Sequence, residues 1–196
     1  MKTWIEKAAA ADIDEMGRLY DSLNDYLEQH VNYPGWRKGI YPAREDAEKG
    51  IKEKNLYVLR NEREIMGSII LSHEPEAAYE KADWHVDLEY KDIFVIHTFA
   101  VHPLYLGNGT GKRLMEFALE QSREEKIKAI RLDVYEKNTP AISLYRKYGF
   151  HYIEFTPQAS KMRKRIRVRS GARIAKIGTK ETAVSLPGSC TATQCR

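Results

Sequence analysis

Hydrophobic and polar positions follow two different periods along the chain, and the switches between them predict helices and strands. From Ile13 to Leu27 apolar residues recur every three or four positions, the spacing of one helix face, and Asp12 can cap that helix. The run Ile93–Val101 is apolar almost throughout, which is typical of a buried strand. The predicted strands are 4–8, 56–60, 64–72, 93–101, 127–136 and 150–155, and the predicted helices are 12–29, 44–53, 110–123 and 140–148. This order predicts an α/β fold in which helices flank a mixed, mostly antiparallel sheet.

Charge divides the chain into two parts. Residues 158–196 carry ten Lys or Arg against one acid, a net charge of +9, whereas the whole chain carries +4, so residues 1–157 are acidic. We therefore predict one domain over 1–157 and a basic tail over 158–196 that is disordered or atypical. Within the tail, 165–169 alternates like an edge strand, and 172–177 follows a Ser-Gly turn as a second short strand.

The composition excludes several classes of protein. No apolar run approaches the roughly 20 residues that span a bilayer, and the first residues lack the apolar segment of a signal peptide, so we expect a cytoplasmic protein without membrane contact. Both cysteines, Cys190 and Cys195, lie at the end of the tail. The domain therefore has no thiol nucleophile, disulfide or cysteine-ligated metal, and no metal site is expected.

A glycine loop, Leu106–Gly111, follows the buried strand and opens the helix 110–123. Glycines at alternate positions allow backbone N–H groups to converge, and the helix N-terminus adds positive charge, so the loop can cradle a pyrophosphate. The nucleotide P-loop is excluded because it requires Gly at 106 and Ser or Thr at 113, where this chain has Leu106 and Arg113. A strand-to-helix turn that binds nothing is the alternative.

Two motifs extend this picture. Val101-His102-Pro103 precedes Leu106-Gly107-Asn108-Gly109-Thr110-Gly111, and Asn138–Phe150 reads Asn-x-x-Ala-x-x-Leu-Tyr-x-x-x-Gly-Phe. Together they resemble the signatures of the GCN5-related N-acetyltransferase (GNAT) superfamily, whose loop motif is (Gln/Arg)-x-x-Gly-x-(Gly/Ala). The resemblance is clear over 55–153. It implies the acyl-CoA N-acyltransferase fold, acetyl-CoA as acyl donor, and direct transfer of the acetyl group to a primary amine of a small molecule or peptide.

The resemblance also implies residue roles. Tyr145 corresponds to the tyrosine that protonates the departing thiolate, and His97 lies where many members carry a base; a packed sheet histidine and a core tyrosine are the structural alternatives. Leu106 replaces the usual Gln or Arg, which predicts weaker cofactor affinity. The cofactor-binding residues implied are Phe99, Ala100, Val101, Leu106, Gly107, Asn108, Gly109, Thr110, Gly111, Lys112, Asn138 and Tyr145.

The acceptor is the part that the sequence identifies least. Tyr33 and Trp36, together with Tyr41 and the acidic insertion 74–92, could line a pocket for a cationic amine, or could be solvated loop residues. An acyl-CoA-binding module without catalysis is a second hypothesis. Nonspecific binding of nucleic acid or another polyanion by the basic tail is a third, since the tail lacks interleaved aromatics. The acyl group itself and the formation of a homodimer stay open.

Overall fold

Seven strands form one sheet in the order β1-β2-β3-β4-β5-β7-β6. In this computed structural model residues 2–76, 79, 84, 88–153 and 173–178 are described. The elements are β1 Thr3–Lys7, α1 Ile13–Gln29, α2 Arg44–Lys52, β2 Leu56–Asn61, β3 Ile65–Ser72, β4 Ile93–Val101, α3 Thr110–Glu124, β5 Ala129–Val134, α4 Thr139–Lys147, β6 His151–Ile153 and β7 Arg173–Gly178. Among the described strands, only β4 and β5 pair in parallel and every other neighbouring pair is antiparallel, which confirms the predicted fold class.

The predicted helices and strands begin and end within two residues of the observed ones wherever the structure describes those ends. The last two residues of the predicted strand 150–155 lie outside the described residues. β7 pairs with β5 on one side and β6 on the other. The structure therefore places 173–178, which the sequence assigns to the basic tail, inside the sheet. The predicted strand 165–169 and both cysteines lie outside the described residues, and the boundary at 157 stays a prediction.

Both faces of the sheet are covered at β4, which is apolar on both sides through most of its length. On one face, Phe94, Ile96, Ile130 and Leu132 join a core beneath α3 and α4. The opposite face is shared by two clusters. The first joins α1 and α2 to residues such as Val58 and Ile70, and the second joins Tyr79 and Trp84 to Ile93, Val95 and Ala129. This double burial explains why β4 reads as a continuous apolar run.

Gly67 allows α3 to begin close against the sheet. A Cβ built on Gly67 of β3 would lie 2.8 Å from the carbonyl oxygen of Ala100 and 3.1 Å from Leu114 Cδ1. A side chain there would push the first turns of α3 away from β3 and β4. The close approach places the helix N-terminus beside the end of β4. Within the part of the chain that the structure describes, no helix is both long and apolar enough to cross a membrane.

Candidate functional site

β4 and β5 separate halfway along their length. Their parallel ladder runs from Ile93–Ala129 to Ile96–Leu132 and stops there, although β4 continues to Val101 and β5 to Val134. The other edge of β4 stays paired with β3 as far as Val101. The second half of β4 therefore presents an open edge toward β5.

The backbone of Val101 points into this opening. Ala100 pairs with Ser68, and the N–H of His102 donates to the carbonyl of Met66 at 2.9 Å. Antiparallel partners alternate between hydrogen-bonded and non-bonded pairs, so the N–H and C=O of Val101 face away from β3. These groups can pair with an extended ligand that lies between β4 and β5.

A β-bulge lies at the point of separation. The register with β3 shifts between Ser68 and Ile70, and Thr98 adopts a φ of 38°, in the left-handed region. The hydroxyl of Tyr41 accepts the Thr98 N–H at 3.1 Å and lies 2.7 Å from Thr98 Oγ1. Burial raises the pKa of Tyr41 to about 12, so the hydroxyl keeps its proton at neutral pH. One tyrosine of the loop before α2 thus fixes the bend in β4.

Substituting Tyr41→Phe tests this bend. The change leaves the N–H of Thr98 without its acceptor, and we expect unfolding free energy to fall by about 1–3 kcal/mol. Chemical denaturation measures the loss. Tyr33→Phe is the matched control because Tyr33 is exposed, and its effect should stay within about 0.5 kcal/mol. Equal stability of the two variants would contradict the role of Tyr41.

The glycine loop presents unpaired amides. Gly107 and Gly109 have φ values of 77° and 81°, which glycine adopts without strain. The N–H groups of Leu106 and Asn108 donate within the turn, to the carbonyls of Pro103 and Tyr105. The other backbone N–H groups of the loop and of the first turn of α3 have no acceptor within the described residues. They belong to Gly107, Gly109, Thr110, Gly111 and Lys112. Since they converge at the positive end of α3, this geometry suits an anion.

The glycine loop lies directly beside the open edge of β4. A Cβ on Gly111 would lie 3.6 Å from the Phe99 ring and 3.9 Å from Val101 Cγ2. The side chains of Leu106 and Lys112 are exposed, and Lys112 Nζ lies 3.6 Å from Glu116. The predicted cofactor residues of β4 and the loop therefore form one continuous surface.

Helix α4 faces the same opening. Asn138 caps it, since its Oδ1 accepts the N–H of Ala141 at 3.3 Å. Tyr145 is 7% exposed, and its ring packs edge-to-face on Phe99 with centroids 6.2 Å apart. Its hydroxyl has no hydrogen-bond partner among the described residues, and burial raises the pKa of Tyr145 well above its ordinary value. The side chain is therefore a protonated donor at neutral pH.

His97 is engaged at both ring nitrogens. Nδ1 lies 3.0 Å from Glu76 Oε1, and Nε2 lies 3.2 Å from the carbonyl oxygen of Glu74. Carboxylate and carbonyl oxygens only accept hydrogen bonds, so a His97 nitrogen bonds to either of them as a donor, and the tautomer decides which nitrogen does so. The hydrogen bond from His97 also lowers the pKa of Glu76. The predicted role of His97 as base stays a prediction.

A cavity of about 230 Å³ opens beside His97. Its lining includes Tyr41 and Thr98 and is acidic, with Lys49 as the opposing charge; the acidic members are Asp46, Glu53, Glu74 and Glu76. Tyr33 and Trp36 do not line it. Trp36 instead packs edge-on against Tyr41, with ring centroids 5.6 Å apart. Of the three aromatic residues predicted to line an acceptor pocket, only Tyr41 lines this cavity.

Two aromatic residues of the acidic insertion 74–92, Tyr79 and Trp84, are buried in the protein core. Trp84 is 7% exposed and packs against Tyr79 and the guanidinium of Arg131, whose carbon lies 4.1 Å from the indole centroid. Glu80 and Asp83 lie outside the described residues. Three described residues of the insertion line the cavity, namely Glu74, Pro75 and Glu76.

Asp133 is a charged residue near this opening that the sequence interpretation did not single out. It follows Leu132, the last β5 residue that pairs with β4, so it lies where the strands separate. The predicted strand 127–136 also contains Lys128, Arg131 and Glu136, so one more charged residue gave no distinctive signal in the sequence.

The sequence profile of the acetyltransferase (GNAT) family matches residues 17–150. The chain belongs to this family. An uncharacterised N-acetyltransferase of Methanocaldococcus jannaschii is 26% identical over 153 residues, which cover 74% of this chain and 64% of that protein. The chain thus spans less than two thirds of that relative.

Solved GNAT structures share the fold. A GNAT acetyltransferase of Streptococcus agalactiae superposes with a TM-score of 0.73 at 18% identity, covering 91% of this chain and 96% of the other. The ribosomal-protein-S18-alanine N-acetyltransferase of Escherichia coli gives a TM-score of 0.62 at 16% identity, covering 95% of this chain and 100% of the other. The chain therefore has the fold of these acetyltransferases.

Proposed function

We propose that this chain is an acetyl-CoA-dependent N-acetyltransferase that transfers the acetyl group directly to a primary amine of a small molecule or peptide. The observation that carries the proposal is the continuity between the open edge of β4 and the free amides of the glycine loop. The pantetheine arm of coenzyme A is extended and is joined to a pyrophosphate. The open edge of β4 can pair with the amides of the arm, and the free amides of the loop can bind the charge of the pyrophosphate.

The chain's own residues supply the groups that such a transfer needs. The free amides at 107 and 109–112 would hold the pyrophosphate, and Phe99 and Val101 would pair with the pantetheine amides. A backbone N–H of this edge would donate to the thioester oxygen as negative charge develops there. Tyr145 would give its proton to the departing thiolate, because a phenol and a thiol have similar pKa values in water.

The acidic cavity supports an amine as acceptor. Four carboxylates face one lysine in its lining, and this excess of negative charge attracts an ammonium group. An alkylamine must lose a proton before it can attack the thioester. Its pKa near 10.4 leaves only about one molecule in 2,500 neutral at pH 7. A base in the site lowers this barrier.

Titration of the full chain with acetyl-CoA by isothermal calorimetry tests the first half of the proposal. We expect saturable binding, and its absence at millimolar concentration would contradict the function. Release of free thiol from acetyl-CoA across a panel of polyamines, amino acids, aminoglycosides and peptides tests the second half. Binding without thiol release for any amine would favour a non-catalytic acyl-CoA-binding module.

A further inference from the structure

We infer that Tyr105 is a positioning residue for the cofactor, because its hydroxyl joins the start of the glycine loop to the turn between β2 and β3 and so holds the free amides of the loop in place for the pyrophosphate. This inference rests on the proposed function and gives Tyr105 no part in the chemical step. The two partners of the hydroxyl lie more than 40 positions earlier in the chain. A long-range contact thus controls a loop whose sequence is local.

The glycine loop has little side-chain packing to hold it. Leu104 is 71% exposed and Leu106 is 41% exposed, and residues 107–109 are exposed as well. Tyr105 is the exception in this segment, since its side chain is half-buried and packs against the core beneath α3. On the side that faces β4, the loop is therefore held to the domain through one side chain.

The other hydrogen bonds of the segment 104–109 are local. The N–H of Leu106 donates to the carbonyl of Pro103, and the N–H of Asn108 donates to the carbonyl of Tyr105, both at 3.3 Å. Among the hydrogen bonds that this segment makes within the described residues, only those of the Tyr105 hydroxyl reach a distant part of the chain.

The Tyr105 hydroxyl has a partner for its proton and a partner for its oxygen. It donates to Glu64 Oε1 at 2.6 Å and accepts from Asn61 Nδ2 at 3.0 Å. The hydrogen bond to Glu64 raises the pKa of Tyr105, so the proton stays on the hydroxyl at neutral pH. A phenyl ring in its place would lose both contacts.

The turn that holds this hydroxyl is closed by its own hydrogen bonds. Asn61 is 3% exposed, and its Oδ1 accepts the N–H groups of Arg63 and Glu64 at 2.7 and 3.0 Å. Its backbone N–H donates to the carbonyl of Glu64 at 3.1 Å. Because Oδ1 already accepts from two donors, the amide nitrogen of Asn61 is the atom that faces Tyr105. The direction of each hydrogen bond in this network is therefore determined.

Tyr105 passes this fixed position on to the amides of the loop. Its carbonyl closes the turn 105–108 by accepting the N–H of Asn108. Gly107 and Gly109, which have positive φ and no side chain, are otherwise free to adopt many conformations. A loop that is already held at its start needs less ordering when an anion binds, and this preorganisation strengthens binding.

Tyr105→Phe in the full chain tests the inference, because it removes the hydroxyl and keeps the ring. We expect calorimetry to show a Kd for acetyl-CoA about tenfold higher, comparable to ordering the backbone of about one further residue on binding. At saturating acetyl-CoA and amine, kcat should stay within about twofold of wild type, because the hydroxyl faces the β2–β3 turn and holds only the binding loop. A merely structural role would not produce this split between KM and kcat.

Tyr148→Phe is the matched control. It also removes a hydrogen bond between a tyrosine and a glutamate, of 3.0 Å to Glu116, but outside the loop. Its Kd for acetyl-CoA should stay within about twofold of wild type.

Variants of Glu64 keep the inference testable if Tyr105→Phe fails to fold. Glu64→Ala should raise the Kd for acetyl-CoA as Tyr105→Phe does, whereas Glu64→Gln retains an accepting oxygen and should stay near wild type. Since both changes break one network, the double variant should lose no more affinity than Tyr105→Phe alone.

The order of the loop can be measured without any ligand. The ¹⁵N relaxation of the Gly107 and Gly109 amides should give lower order parameters in Tyr105→Phe than in wild type, while those of β2 and β3 stay unchanged. Unaltered order parameters at both glycines would overturn the inference.

The remaining outcomes separate this inference from the proposed function. A wild-type chain that binds acetyl-CoA, with equal affinity in Tyr105→Phe, would overturn the role of Tyr105 and leave the transferase function intact. Equal losses of affinity in Tyr105→Phe and Tyr148→Phe would also overturn it. A wild-type chain that binds no acetyl-CoA overturns the proposed function, and the relaxation measurement then still decides whether Tyr105 holds the loop.

Discussion

Replacing Gly109 by Asp is expected to raise the Kd for acetyl-CoA at least about 100-fold while the fold is retained. Gly109 is the N-cap of α3, with φ 81° and ψ 0°, and a Cβ there would meet no atom within 4 Å. The new carboxylate would lie among the free amides that we assign to the pyrophosphate. Two unit charges 4 Å apart repel by about 4 kcal/mol at an effective dielectric of 20, enough for this loss.

Gly109→Asn is the matched control, because it adds a side chain of the same size as Gly109→Asp without the negative charge. Asn and Asp have the same size, both tolerate left-handed φ, and both cap helices. Calorimetry should show a Kd much closer to wild type for Gly109→Asn than for Gly109→Asp, with both unfolding free energies within about 1 kcal/mol of wild type. Equal losses of affinity in the two variants would indicate that loop shape, and not anion binding, is the property that matters.

The fold was predictable to the extent that local patterns determine it. Ile93–Val101 was predicted to the residue, because its apolar run meets a proline two residues later. β7 was harder to predict. Its six residues lie in a strongly basic stretch, and their place between β5 and β6 depends on pairing with residues about 45 and 25 positions earlier in the chain. Such long-range pairing leaves little trace in local composition.

The candidate site was predictable where backbone conformation carries it. The glycine spacing indicated the amide cradle, and Asn138 indicated the cap of α4. The opening between β4 and β5 was not predictable, because it depends on where a ladder stops. The engagement of His97 by Glu74 and Glu76, and the position of Asp133 across from it, depend on register and on a loop that folds back onto the sheet.

Replacing Tyr145 by Phe is expected to lower kcat about 100-fold or more, with little change in the Kd for acetyl-CoA. The hydroxyl has no hydrogen bond to lose within the described residues, and the phenyl ring keeps its edge-to-face contact with Phe99. Stability should therefore change by less than about 0.5 kcal/mol. An effect on turnover without an effect on folding or cofactor affinity would identify the hydroxyl as the thiolate's proton donor.

Tyr148→Phe provides the matched control one turn along the same segment. The Tyr148 hydroxyl donates to Glu116 Oε1 at 3.0 Å at the surface, so its loss should leave both kcat and Kd near wild type. Measuring the rate of free-thiol release from acetyl-CoA at saturating amine compares the two variants directly. Unchanged turnover in Tyr145→Phe would mean that the thiolate leaves without help from this residue, as a thiol with a pKa near 8.5 can do when water reaches the sulfur. A loss confined to Tyr145→Phe would place the proton donor on α4, at the residue whose ring packs against Phe99 of β4.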